Sequence, residues 1–281
     1  MVLLPFGALL ACGAPGARRN PPPAAAAPTA PTADPVPGHD SFTVESRELG
    51  EARRINVYTP PSYRAAVPAR TPSLPVLYMP DGGLDEDFPH VANTVDSLIA
   101  LGVIRPVIVV GVPNTQRRRD LTGPTRVASD SAIAPRVGGS AAFRRFLRQE
   151  LMPEVERRYR TTPERSIIGE SLAGLFIVET FLEEPALFTH YVALDPSVWW
   201  DKGALVDSAG ARLGAFDAAS RTLYLASSDV ADIAAGTARL AMVIRVSRPR
   251  GLRWRYEPRP DLTHATIFRA IKPKALVDAL R

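Results

Sequence analysis

The stretch Arg165-Ser-Ile-Ile-Gly-Glu-Ser-Leu-Ala-Gly174 decides the fold of this 281-residue chain. It places Ser171 between small residues, where an apolar run typical of a buried strand gives way to a helical pattern. A serine exposed at the crest of a sheet lies on a tight, strained turn, so small neighbours such as Gly169 and Ala173 are required. The pattern Gly-x-Ser-x-Gly has Ala173 in its last position and Gly174 directly after it. The stretch therefore predicts a nucleophile elbow.

The composition predicts one large globular domain preceded by an N-terminal extension. Hydrophobic residues make up 46% of the chain, which is enough for a substantial core. The net charge is +5, but the basic residues are scattered along the chain, which argues against nucleic acid as the partner. We expect the folded domain to span residues 41–281.

The N-terminal residues resemble an export signal. Residues 1–12 begin with an apolar run that is too short to span a bilayer. Leu9-Leu-Ala-Cys12 is similar to the lipobox of bacterial lipoproteins, so Cys12 is a candidate site of acylation and membrane attachment. Residues 13–40 are rich in proline and alanine and predict an extended linker. We expect an exported protein of the periplasm or cell surface; the alternative is a disordered N-terminus whose cysteine has no role.

Strand and helix patterns alternate along the predicted domain, which indicates an α/β protein with a mostly parallel, doubly wound sheet. Residues 41–48 and 53–59 alternate polar and apolar side chains, which predicts an antiparallel hairpin before that sheet. Further strands are predicted at residues 74–79, 107–112, 191–194, 222–226 and 253–257. A long amphipathic helix over 143–159 should bend at Pro153, and a terminal helix should begin near Ile271.

A serine hydroxyl needs a neighbouring base, and the chain has four histidines. His39 lies in the linker, and His190 opens a predicted strand, where a structural role is expected. His90 follows an early strand and is a weaker candidate for the mouth of the site. His264 lies between the last predicted strand and the terminal helix, where this kind of fold places its base after the serine and the acid. We therefore predict His264 as the base of Ser171.

The acid is the least defined member of the predicted triad. The predicted strand 222–226 is followed by Ser227-Ser-Asp-Val-Ala-Asp232. Asp229 is nearest to the strand end and is the first choice for holding the imidazole. Asp229 and Asp232 are both suited to capping the next helix instead, so Asp232 or no acid at all remain alternatives.

The oxyanion of an ester intermediate also needs donors that are already in place. In elbow enzymes these are the backbone N–H after the nucleophile and one from the loop after an early strand. Leu172 provides the first, and the Pro80–Gly83 turn offers Gly82 and Gly83 for the second. Glycines let backbone approach a substrate closely, although an ordinary tight turn would use them equally well.

Several further motifs resemble the esterase family that includes siderophore esterases, the esterase D group and, more distantly, mycolyltransferases of the antigen 85 type. The resemblance runs from Ser41 to the C-terminus and rests on six stretches: Val57–Tyr63, Leu77–Gly82, Val110–Thr122, Glu150–Glu154, Gly169–Leu175 and Asp195–Trp200. It implies an α/β-hydrolase fold, a serine esterase that works through an acyl-enzyme without metal or organic cofactor, and a small-molecule ester substrate.

The resemblance also implies roles for individual residues. Ser171 is the nucleophile, His264 the base, and Gly83 with Leu172 the oxyanion donors. Arg117 and Arg119 fall in a segment near the active-site face, and Trp199 and Trp200 are candidates for walls of an acyl or aryl pocket. Structural ion pairs and packing remain alternatives for these four residues.

The chain departs from the family pattern at two places. Asp195 stands where a serine is common, and Ser227-Ser-Asp229 replaces a more usual stretch with glycine and glutamate. Two other functions stay open: acyl transfer in the same fold, and a tethered binding module that has lost activity. The sequence does not identify the ester.

Overall fold

The computed structural model describes residues 34–65, 72–214 and 220–281. The predictions for residues 1–33, including export and acylation at Cys12, lie outside the described residues and stay predictions. In the described ranges, no helix combines the length and the apolar character that a membrane span requires.

A single mixed sheet of eight strands organises residues 34–281. The strands are β1 (Asp40–Ser46), β2 (Glu51–Tyr58), β3 (Leu74–Pro80), β4 (Ile108–Val112), β5 (Thr161–Glu170), β6 (His190–Leu194), β7 (Thr222–Ser227) and β8 (Arg253–Pro258). Their spatial order is β1-β2-β4-β3-β5-β6-β7-β8. Pairing is antiparallel from β1 to β2 and from β2 to β4, and parallel across the rest of the sheet. The predicted α/β class, the N-terminal hairpin and the mostly parallel sheet are confirmed.

Helices cover both faces of this sheet, which is why its central strands are apolar throughout. The helices are α1 (Pro61–Arg64), α2 (Phe88–Ala100), α3 (Arg117–Leu121), α4 (Ala128–Ala132), α5 (Ser140–Phe146), α6 (Met152–Arg158), α7 (Leu172–Glu183), α8 (Ala204–Leu213), α9 (Ala231–Ser247) and α10 (His264–Leu280). Buried side chains of α2 and α10 form the core on one face, and those of α5 to α9 form the core on the other.

At the predicted bend near Pro153, the helical segment continues but contains one widened turn. A π-helical turn over Leu147–Leu151 joins α5 to α6, and Pro153 stands in the first turn of α6. A proline has no N–H to donate and its ring crowds the carbonyl four residues earlier, so the preceding turn widens.

The terminal helix begins earlier than the predicted start near Ile271. Helix α10 starts at His264, with Thr263 as its N-cap. The Thr263 N–H donates to Thr266 Oγ1 over 3.0 Å, and the Thr263 side chain accepts from the Thr266 backbone. This capping box has threonine in place of the usual glutamate or glutamine, which is why the sequence signal was missed. His264 is therefore fixed on a helix terminus and does not lie in a loop.

Candidate active site

The predicted elbow forms the junction of β5 and α7. Ser171 has φ 59° and ψ −119°, a conformation that non-glycine residues rarely adopt. A Cβ atom at position 169 would lie 2.6 Å from the Ala173 Cβ, and one at Gly174 would lie 3.0 Å from the Pro196 Cα. Small residues around Ser171 are thus required by contacts within the elbow and with the loop after β6.

Three strained residues follow three neighbouring strands at the same edge of the sheet. Asp81, Ser171 and Asp195 come directly after β3, β5 and β6, and their φ angles are 55°, 59° and 48°. The Ser171 N–H donates to the Leu194 carbonyl over 3.1 Å, and the Ser197 N–H donates to the Ser171 carbonyl over 3.1 Å. Carboxyl ends of parallel strands are the usual place for a site in such sheets, and backbone strain is concentrated there.

His264 contacts a carboxylate at this edge, and that carboxylate belongs to Asp195. The His264 Nδ1 lies 2.6 Å from Asp195 Oδ2. Asp195 is fully buried, and Ser228 donates to it twice, from its backbone N–H to Oδ1 over 2.6 Å and from its hydroxyl to Oδ2 over 2.7 Å. The hydrogen bond to Asp195 raises the pKa of His264 above its usual value, and a nearby Glu170 charge adds to this, while partial burial opposes it. Asp195 is placed to hold a proton on Nδ1 and leave Nε2 as the basic atom.

The assignment of Asp229 as the acid is corrected by this contact. Asp229 is exposed, and its backbone N–H donates to the Leu262 carbonyl over 2.9 Å. Asp232 is also exposed and lies in the first turn of α9. The turn after β7 directs Ser228 inward, so Ser228 meets the buried carboxylate while the next residue faces solvent. The available sequence signal was Asp195 itself, a departure from the family pattern placed directly after a strand.

Ser171 lies at this edge with its hydroxyl facing a second serine. The two hydroxyl oxygens of Ser171 and Ser197 are 3.4 Å apart. Within the described ranges, no hydrogen bond joins Ser171 to His264. In serine hydrolases, nucleophile and base are often not well hydrogen-bonded to each other before a substrate binds.

Glu170 brings a second carboxylate to the imidazole. Its Oε1 lies 4.0 Å from His264 Nδ1. Burial raises the pKa of Glu170 to about 7, the His264 charge opposes this, and the charges of Asp87 and Asp195 add to it. One ligand-type atom from each of Glu170, Asp195 and His264 falls within a 4.8 Å span, as in a cation site. The hydrogen bond between His264 and Asp195 uses two of those atoms, which favours an acid–base cluster.

The predicted oxyanion donors differ in their availability. Leu172 is the first residue of α7, where backbone N–H groups have no partner within the helix and the helix dipole is positive. The Gly82 N–H already donates to the Val112 carbonyl over 3.0 Å, so its predicted role is corrected. The Gly83 N–H donates to Glu86 Oε2 over 2.7 Å, so an oxyanion would have to displace that carboxylate.

The two predicted pocket arginines have different surroundings. Arg117 makes a two-pronged ion pair with Asp81, over 2.7 and 2.8 Å, and keeps 38% of its side chain exposed. Arg119 is largely buried between Asp120 and Glu51, at 2.6 and 2.7 Å. Its guanidinium is used by these structural partners, so placing Arg119 in the substrate pocket is corrected.

The two predicted pocket tryptophans also differ in burial and contacts. Trp200 is buried in the core, and its indole N–H donates to the Gly123 carbonyl over 2.9 Å. That hydrogen bond and burial explain Trp200 by packing, the alternative noted from the sequence, and a substrate contact by Trp200 stays a prediction. Trp199 keeps 38% of its surface exposed, so it is the more accessible of the two for a contact with substrate, which also stays a prediction.

Comparisons with known proteins identify relatives of this chain. The chain is 29% identical to the ferri-bacillibactin esterase BesA of Bacillus subtilis over 188 residues, 59% of this chain and 61% of that protein. It is 29% identical to a siderophore triacetylfusarinine C esterase of Aspergillus fumigatus over 194 residues, 64% of this chain and 63% of that protein. These alignments thus span less than two thirds of either relative.

A solved structure is similar to this chain over a larger share of its length. The IroE-like serine hydrolase of Shewanella oneidensis is similar with a TM-score of 0.75 and 26% identity, over 86% of this chain and 79% of that one. The sequence model of the family described as "Putative esterase" matches residues 46–245. The resemblance inferred from the motifs is confirmed, and the chain belongs to this esterase family.

Proposed function

We propose that the chain is a serine hydrolase of carboxylic esters that works through an acyl-enzyme. The observation that carries the proposal is the 2.6 Å contact between His264 and the buried Asp195, beside a serine held at φ 59° on a strand-to-helix turn. Serine, carboxylate and imidazole in this order along the chain are the parts that acyl transfer requires.

In the acylation step, the Ser171 Oγ attacks the ester carbonyl carbon while His264 Nε2 takes the hydroxyl proton. This requires the Ser171 hydroxyl to turn from Ser197 toward the imidazole. Asp195 holds the Nδ1 proton and stabilises the positive ring that results. The C–O bond to the alcohol then breaks, and the alcohol leaves with the proton that His264 returns to it.

The oxyanion formed in this step lies next to the N-terminus of α7. The Leu172 N–H is the proposed donor, and the positive end of the helix dipole favours the developing charge. Gly83 is the proposed second donor once Glu86 releases it. Water then attacks the acyl-enzyme by the same route in reverse, with His264 as base and then acid.

For the substrate we propose a small ester of the siderophore type. The support is that relatives of this chain are named as siderophore esterases, over the shares of their length given above. Ferric catecholate siderophores are anionic, and Arg117 offers a partly exposed guanidinium whose charge acts on both Glu170 and His264.

The test is hydrolysis by the full chain of a short p-nitrophenyl ester series and of a ferric tris-catecholate trilactone. Ser171→Ala and His264→Ala are each expected to remove nearly all turnover, and the double variant should be scarcely worse because the two residues act as a unit. Asp229→Asn is the matched control. Failure of the wild type to hydrolyse any ester, or full activity of Ser171→Ala, would overturn the proposal. Added alcohol acceptors that capture the acyl group faster than water would instead identify an acyltransferase.

A further inference from the structure

Glu170 is a buried carboxylate whose position the elbow does not explain. The elbow needs small residues at positions 169, 173 and 174, but this steric requirement does not extend to position 170. Its Oε1 is buried and, within the described ranges, has no hydrogen-bond partner. A buried oxygen without a partner costs folding free energy, so such a group is expected to have a role beyond packing.

The nearest cationic atom to this oxygen in the site is on the ring of His264. Oε1 lies 4.0 Å from Nδ1, the same ring nitrogen that contacts Asp195. The other charged groups that act on Glu170 are Asp87 from the loop after β3, Asp195 after β6 and Arg117 on α3. Arg117 is already paired with Asp81 through two hydrogen bonds. The imidazole is therefore the positively charged group that the Glu170 carboxylate can stabilise.

The position of His264 makes a second carboxylate useful. His264 is the first residue of α10, where the positive end of the helix dipole disfavours a protonated imidazole. Accepting the serine proton would create a cation at that unfavourable place. Asp195 stabilises this positive charge by accepting a hydrogen bond from the ring. Glu170, in the elbow, places a second carboxylate near the same ring.

We propose that Glu170 is a second carboxylate partner of His264, which shares with Asp195 the stabilisation of the positive imidazole ring. It is a positioning residue, because it acts on the reaction through His264. The inference rests on the proposed function for its catalytic meaning. The charge partnership itself is a property of the folded protein and can be measured without any substrate.

The substrate-free test is an NMR titration of the His264 ring in the full chain carrying Ser171→Ala. His264→Gln identifies its signal among the four histidines. Glu170→Gln keeps the shape of the side chain and removes its charge, so the pKa of His264 is expected to fall, by at most about one unit because Glu170 itself titrates near 7 and carries only part of its charge in that range. An unchanged or increased pKa of His264 would overturn the proposal.

The matched control is Glu183→Gln at the other end of α7. Glu183 is an exposed glutamate paired with Arg212, about 18 Å along the helix from the elbow, beyond a Debye length at physiological salt. Its removal should leave the His264 titration unchanged. An equal shift in this control would mean that the Glu170 result reflects net charge alone, and would also overturn the proposal.

Kinetics then separate this inference from the proposed function. In an otherwise wild-type chain, Glu170→Gln should move the acid limb of kcat/KM to lower pH by the same amount as the NMR shift. A wild type without esterase activity would refute the proposed function, while the titration alone still decides whether Glu170 and His264 are charge partners.

Discussion

Replacing Asp195 with asparagine tests the site most directly, because the surroundings of this side chain leave the amide one acceptable orientation. Oδ1 accepts the Ser228 N–H, so the amide oxygen must take that place. The opposite orientation would set two buried donors against each other, at a cost of about 1–3 kcal/mol. The amide NH2 then faces His264 Nδ1 in the place of Oδ2.

The consequence for His264 is a change of tautomer. Its Nδ1 must accept from the amide, so the ring proton moves to Nε2 and the ring loses the basic nitrogen that the proposed mechanism requires. The expected loss in kcat is about 10³–10⁴-fold, or about 4–5 kcal/mol in the activation free energy.

The assay is p-nitrophenyl ester hydrolysis by Asp195→Asn, with Asp229→Asn as the matched control and thermal unfolding to verify that each variant is folded. Asp229 is exposed and should change kcat by about twofold at most, as expected of a surface residue. A folded Asp195→Asn with nearly wild-type activity would refute this reasoning, as would an equal loss in Asp229→Asn.

Three further predictions use the same structure. Ser228→Ala removes the hydroxyl donor to Asp195 but keeps the backbone donor, so kcat should fall by roughly tenfold, and a wild-type kcat would contradict this. Gly169→Ala forces a Cβ to within 2.6 Å of Ala173, so urea unfolding should show a loss of about 1–3 kcal/mol. His264 must be neutral to act as base and its pKa is raised, so kcat/KM should fall as the pH drops through a value above 6.5; an acid limb at or below 6.5 would exclude this.

The elbow, the sheet and the position of His264 were predictable because local patterns determine them. A serine among Gly169, Ala173 and Gly174 after an apolar run has few stable conformations apart from a strand-to-helix turn. The parallel direction of the strands follows from the alternation of strand and helix patterns. The predicted chain order of serine, acid and histidine placed His264 at the edge of the sheet that holds Ser171. The start of α10 was missed because its capping box uses Thr266 in place of an acidic or amide side chain.

The carboxylate that contacts His264 was not predictable in this way. Asp195 and Asp229 both follow strands whose carboxyl ends meet at one edge, and the residue types do not distinguish them. The choice depends on two turns: a positive φ at Asp195 directs its side chain under His264, and the turn after β7 directs Ser228 inward and Asp229 outward. The same applies to Gly82, whose N–H is already bonded to the neighbouring strand end.

By itself, the sequence determined the fold class, the elbow serine and the esterase resemblance, since these depend on periodicity and steric size within short stretches. Only the tertiary structure decided which carboxylates surround His264. Asp195 and Glu170 come from the ends of different strands, and their distances to one imidazole are set by strand register and turn conformation, which no local pattern specifies.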